Sequence, residues 1–137
     1  MTVVFDTNVF VSAAIAQTGV ARRCFVLLAQ RKFQLGVTKE VLAEYELAVG
    51  KVVNRPGKYH GVNWRPLFNW IQHRAACFEP LPLGKQRSRD ADDVIFLACA
   101  LASGAKTIVS KDNDLLDLGK PFGIEILKPT TFVARFK

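Results

Sequence analysis

The stretch Ile95–Ala102 carries no polar side chain on any face. A helix of that kind has to be covered by neighbours on all sides. Gly104 closes it, and Thr107-Ile108-Val109 follows as a strand. A buried helix feeding a short strand is a unit of an α/β fold, and the rest of the chain repeats it. Thr2-Val3-Val4-Phe5 reads as a strand ended by Asp6-Thr7-Asn8. Helices are expected over Val9–Ala16 and Ala21–Lys32, broken at Gly19. Phe33–Val37 is the second strand, and Thr38 is placed to cap a helix over Lys39–Val52. A further helix is expected over Asn63–Ala76, with short strands at Cys77-Phe78-Glu79 and Ile124–Leu127. A polar turn and short helix fill Ser110–Leu118, and Pro129 opens a terminal helical turn.

Strands that alternate with helices from end to end argue for an α/β domain with a mostly parallel sheet covered on both faces. The 137 residues make one domain, and half of them are apolar, enough to bury a core. No repeat or second domain is visible. The N-terminal apolar stretch Val3–Ile15 is interrupted by Asp6 and Asn8 and lacks the basic start of a signal peptide. No apolar run is long enough for a bilayer. Cys24, Cys77 and Cys99 form no C-x-x-C pair and sit in apolar runs, so three buried free thiols are expected. Together these lead to the expectation of a soluble, cytoplasmic protein with no membrane partner.

The net charge is +7. That balance favours an anionic partner, of which nucleic acid is the commonest. Two basic loops are expected, Val53–Val62 with Arg55, Lys58 and His60, and Pro80–Arg89 with Lys85, Arg87 and Arg89.

In open parallel sheets, ligands bind at the carboxyl ends of the strands. Asp6 and Asn8 follow the first strand, and Asp112 and Asp114 follow the strand at 107–109. Asp90, Asp92 and Asp93 open the buried helix that leads into that strand. The helix carries the chain about 15 Å away at 1.5 Å per residue, and the strand with its flanks returns about 13–16 Å at 3.3 Å per residue. Asp93 and Asp112 should therefore share an edge, with Asp6 beside them if its strand runs parallel.

Each acid alone has an ordinary structural reading: Asp6 as an Asx turn, Asp90, Asp92 and Asp93 as partners of a helix dipole, Asp112 and Asp114 as turn residues. Glu44 lies at the margin of an apolar stripe, and Glu40 and Glu46 are not excluded by spacing. Convergence is what gives them a common meaning. Two carboxylates at 4 Å repel by about 4 kcal/mol at an effective dielectric of 20, so a cluster calls for protonation or a cation. Oxygen-only ligands suit Mg²⁺ or Mn²⁺, which commonly pair with substrate phosphates.

Other constellations fail. Gly104-Ala105-Lys106-Thr107 lacks the upstream glycine of a phosphate-binding loop and enters a strand. His60 and His73 are too few for a metal site, no nucleophile turn supports Ser–His–Asp catalysis, and Trp64 and Trp70 read as core. A phosphoacceptor signalling domain needs an Asp and a Lys after particular strands, which Val37-Thr38 and Leu127-Lys128 supply poorly.

These residues resemble a PIN domain. Val4-Phe5-Asp6-Thr7-Asn8-Val9 is similar to that family's opening strand and first acid. Glu44, in Val41-Leu42-Ala43-Glu44-Tyr45, matches its second acid. Arg89-Asp90-Ala91-Asp92-Asp93-Val94-Ile95-Phe96-Leu97-Ala98 is similar to its acidic helix start, with Asp93 matched to the third acid. Ser110-Lys111-Asp112-Asn113-Asp114 resembles its last acidic turn. Ala91 stands where a proline is common and Val94 where a further aspartate often occurs, which keeps Asp90 and Asp92 as alternatives to Asp93. The pattern is most like the VapC-like toxin components of bacterial and archaeal toxin–antitoxin pairs.

The resemblance implies a three-layer α/β/α sandwich and single-stranded RNA cleavage with Mg²⁺ or Mn²⁺ held by Asp6, Glu44, Asp93 and Asp112. Asp114 is a further metal candidate, and Asn8 and Ser110 orient ligands or water. A cognate antitoxin and a homodimer are implied partners. An RNA-processing or decay nuclease, and a catalytically silent RNA- or protein-binding domain, are the alternatives.

Overall fold

A computed structural model describes residues 1–16, 18–80 and 91–136, with the backbone alone for 91–93. In chain order the elements are β1 (Thr2–Phe5), α1 (Thr7–Ile15), α2 (Val20–Ala29), β2 (Gln34–Val37), α3 (Lys39–Asn54) and α4 (Arg65–Arg74). They continue as β3 (Ala76–Cys77), α5 (Ala91–Ser103), β4 (Thr107–Val109), α6 (Asn113–Leu116), β5 (Glu125–Leu127) and α7 (Pro129–Ala134). The strands form one sheet in the order β3-β2-β1-β4-β5. Every neighbouring pair is parallel, as the alternation of elements requires.

Alternate residues of β1 serve opposite faces of the sheet. Phe5 meets Phe25 of α2, Phe33 and Phe132 of α7 edge-on, with ring centroids 5.1, 5.6 and 6.0 Å away. Such contacts add about 0.5–1.5 kcal/mol each beyond area burial. On the opposite face lies α5, whose last residue Ser103 sits over Thr2 and Gly36. The sheet is therefore the middle layer of an α/β/α sandwich. The third long helix, α3, presents Val41, Tyr45, Val49 and Val53 at four-residue spacing, all buried, and packs on α1 and α5. Thr38 accepts the Val41 amide at 3.1 Å, so it caps α3 as expected. No single described helix is long and apolar enough to cross a membrane.

Two glycines have a geometric reason. Gly104 ends α5 with φ +73, and Ala105 donates its amide back to Ala100 O at 2.9 Å. That is the left-handed cap in which a side chain is disfavoured. A Cβ on Gly36 would lie 2.9 Å from Ser103 Cβ, so α5 can approach β2 this closely only with glycine there.

Several boundaries differ from the sequence reading. Helix α1 begins at Thr7 rather than Val9, because Asp6 acts as its N-cap. Helix α2 ends at Ala29, and Arg31 turns the chain with φ +61 before β2. Helix α4 is shorter than Asn63–Ala76 because Ala76 is spent on β3. Within Ile95–Ala102, Phe96–Ala100 are buried, but Ile95, Leu101 and Ala102 are only half covered. The helix lies on the sheet and is flanked by α3, which leaves one outward stripe. Of the aromatic pair read as core, Trp64 is buried and Trp70 is half-exposed. The second basic loop falls on residues 81–89, outside the described residues.

One expectation is overturned. Cys24 and Cys99 are buried free thiols, but Cys77 is exposed, because it sits in a two-residue edge strand with little covering it. Burial pushes the Cys24 and Cys99 thiols up to about 12, so at neutral pH neither is a nucleophile. A folded sample treated with a charged thiol reagent should therefore lose Cys77 fast and alone, all three cysteines reacting only in denaturant; rapid labelling of Cys24 or Cys99 in the folded state would contradict this burial. Gly36→Ala should cost about 1–3 kcal/mol through overpacking against α5, read as a lower denaturation midpoint with an unchanged slope; an unaltered midpoint would show that α5 stands further off.

Candidate active site

The strand order places the chain's change of direction between β1 and β4. From β1 the chain builds outward through β2 to β3, and then returns to β4 and β5 on the other side. The crevice at the carboxyl ends of two such strands is where open α/β sheets bind ligands. Pairing Phe5 with Val109 fixes the register, and Asp6 donates its amide to Val109 O at 2.9 Å. The next residues of both strands, Asp6 and Ser110, thus emerge side by side.

Asp6 is 6% exposed and Ser110 fully buried. A buried carboxylate needs donors to replace water. Thr7 N donates to its Oδ1 at 2.7 Å. Ser110 Oγ and Asn8 Nδ2 donate to Oδ2 at 2.6 and 3.3 Å. Ser110 Oγ in turn accepts the Asp112 amide at 2.9 Å, and Asn8 Oδ1 accepts the Lys111 amide at 3.1 Å. Lys111 Nζ reaches Ser12 Oγ on α1 at 3.1 Å. Asp112, half-buried, caps α6 by accepting the Asp114 amide at 2.9 Å. The turn after β1 and the turn after β4 are therefore one hydrogen-bonded unit.

Tyr45 of α3 fastens this unit from below. Its ring stacks on Phe10 of α1 at 4.8 Å, and its hydroxyl donates to Phe5 O, the carbonyl just before Asp6. Complete burial holds the phenol well above its ordinary range, with Cys99 and the Asp6 carboxylate adding to the effect. Glu44, half-buried, is the neighbour of Tyr45 on α3 and so lies on the helix turn that meets the end of β1.

The sequence-derived acids are thus distributed as follows. Asp6, Asn8, Ser110 and Asp112 are brought into direct hydrogen-bonded contact, and Asp114 stands one step along, exposed. Helix α5 runs with Ser103 over Thr2 near the start of β1, so its first turn, where Asp93 is placed, points to the carboxyl ends of the strands. Asp90 and the side chains of Asp92 and Asp93 lie outside the described residues. Sequence reasoning did not single out Tyr45, Thr7 or Lys111. Only Tyr45 left a trace, as the one hydroxyl in the apolar stripe of α3.

The donor set is all oxygen, which favours a hard divalent cation. Among the described residues no three His, Cys, Asp or Glu side chains form a closed metal-binding group. Mg²⁺ keeps several waters and is held by one or two carboxylates together with substrate phosphates, so Asp6 and Asp112 are enough to begin such a site. Thr7 Oγ1, next to Asp6, is a buried oxygen without a hydrogen-bond partner among the described residues, a place where a bound water would be satisfied. These residues fit a divalent ion.

Comparison with known proteins bears on the family and the fold. A family model described as PIN domain matches residues 2–114, which includes Asp6, Glu44, Asp93, Asp112 and Asp114. No curated protein matches the sequence. Among solved structures, PAE2754 from Pyrobaculum aerophilum is similar with a TM-score of 0.67 at 18% identity, over 98% of this chain and 88% of that one, a likeness of fold. PIN domains are generally nucleases and typically use divalent metals. On the match over residues 2–114 and the shared fold, the chain belongs to the PIN domain family.

Proposed function

We propose that this protein is a divalent-metal-dependent endoribonuclease that cuts phosphodiesters of single-stranded RNA. The observation that carries the reading is a buried carboxylate, Asp6, held by Ser110 and Asn8 at the point where the sheet changes direction. In the proposal Asp6, Glu44, Asp93 and Asp112 hold Mg²⁺ or Mn²⁺, with Asp114 as a further ligand. Bound there, the ion would make water more acidic and would offset negative charge on the phosphate oxygens.

The chain's own groups do the positioning. Ser110 and Asn8 fix the angle of the Asp6 carboxylate, so its lone pairs meet an ion without a search through rotamers. Asp112 is anchored by the Asp114 amide and by its own amide on Ser110, which ties its position to that of Asp6. Tyr45 keeps the Phe5 carbonyl, and with it the Asp6 backbone, from shifting. The toxin role, with an antitoxin as partner and a homodimer as the assembly, rests on the resemblance of the four motifs. A small acid-rich protein that copurifies and silences cleavage would support it.

Asp6→Asn should reduce Mn²⁺-supported cleavage by more than about 10²-fold while single-stranded RNA binding stays near normal. Full metal-dependent turnover by that variant would refute the role of Asp6. Ser110→Ala removes the donor to Asp6 and the acceptor for Asp112 together, and should weaken apparent metal affinity by about 10–100-fold. Titrating Mn²⁺ against cleavage rate checks this. An unchanged half-saturation point would mean that Ser110 serves folding alone.

A further inference from the structure

The charges of this chain are sorted by position. Between Asp6 and Glu40 there is no acid, but Arg22, Arg23, Arg31, Lys32 and Lys39 are present. Between Glu46 and Glu79 there is again none, with Lys51, Arg55, Lys58, Arg65 and Arg74. These two acid-free stretches meet at the far end of α1. A hollow of about 340 Å³ opens there between Ile15, Val52, Pro56 and Tyr59, with Arg55 and Lys58 on its lining. A second, of about 420 Å³, adjoins it through Ile15 and is lined by Arg22, Asn63, Pro66 and Leu67 among others.

Both hollows combine apolar walls with basic side chains, Arg55 and Lys58 in the first and Arg22 in the second, and among the described residues no carboxylate lines them. Tyr59 is half-buried, with Lys58 Nζ 5.5 Å from its ring centroid. Arg22 is braced by its Nε donating to Ala16 O at 3.2 Å. An apolar slot with an aromatic wall takes a nucleobase by stacking, and the cations around it take the adjoining phosphates. An acidic protein segment would engage the cations, but it would pack on Tyr59 only where it carried an aromatic or proline side chain, whereas every nucleotide of a strand brings a flat base.

We propose that this surface seats the unpaired nucleotides on one side of the cut, with a base in the Ile15–Tyr59 hollow and phosphates on Arg22, Arg55 and Lys58. The inference rests on the nuclease reading above and adds a strand path to it. Helix α1 leads from Asp6 to Ile15, about 13–14 Å at 1.5 Å per residue, and Lys111 Nζ, held at Ser12, supplies a cation along the way. Cutting then depends on a stretch of RNA longer than the site itself.

The test uses labelled single-stranded RNA of mixed sequence, binding being read by fluorescence anisotropy in EDTA and cleavage in Mn²⁺. Arg55→Ala/Lys58→Ala should weaken binding on the order of 10-fold or more and lower the salt slope by about 1.4, the value for two phosphate contacts on a single strand. Tyr59→Ala should weaken binding about 10-fold with little change in salt slope, as a stacking contact does. Both variants should raise KM for a long strand and leave the slow cleavage of a dinucleotide unchanged. Variants that bind and cut long RNA like the parent overturn the proposal, and loss of binding to a poly-glutamate probe by those same variants would assign the surface to a protein partner. An equal loss on dinucleotide and long strand overturns it too, since the change would then lie at the carboxylates. A parent protein that neither binds nor cuts RNA sinks the nuclease reading itself, whereas an active parent with indifferent variants sinks this inference alone.

Discussion

The pairing of β1 with β4 is the contact on which the candidate site depends. Its register sets Phe5 opposite Val109. A slip of one residue would turn each side chain to the other face of the sheet. Phe5 would leave the aromatic cluster with Phe25, Phe33 and Phe132, and Asp6 would lose Ser110. Core packing and site geometry thus select the same register. This gives the site precision from an interaction far larger than any of its own hydrogen bonds.

Electrostatics divides the molecule in two. Asp6 and Asp112, which Ser110 ties together at the switch between β1 and β4, come from distant parts of the chain, while 7–39 and 47–78 contribute cations only. A net charge of +7 spread evenly would attract any polyanion to any face.

Much of this was legible in the residues. The β-branched runs at 2–5 and 107–109 became β1 and β4 with little change, because such side chains fit a pleated, covered surface. Thr38 declared its cap by type and place. What escaped was tertiary. Asp6 read as the end of a strand, yet its side chain also starts α1, since one carboxylate serves both turns. Tyr45 read as part of an apolar stripe, and only the fold shows its hydroxyl reaching the carbonyl of residue 5 across 40 positions. The end of α2 was misplaced because Arg31 adopts a left-handed conformation that no glycine advertised. Cys77 sat in an apolar run, but a two-residue edge strand buries little.

The direction of each hydrogen bond in the site follows from the backbone, and it constrains Asp6 more than distance does. A backbone N–H can only donate. The Asp112 amide donates to Ser110 Oγ, so the single hydroxyl proton of Ser110 is free to go the other way, to Asp6 Oδ2. The Lys111 amide donates to Asn8 Oδ1, which fixes the orientation of the Asn8 carboxamide and sends its NH₂ to the same oxygen. Two chains of donors thus start at adjacent amides of the β4–α6 turn and end on one carboxylate oxygen of β1. A protonated oxygen there would oppose two donors at once, so the arrangement suits the carboxylate anion. The turn after β4 therefore does more than carry Asp112 to the crevice. Through Ser110 and Asn8 it presents Asp6 as a charged acceptor, the form in which a carboxylate binds a divalent ion.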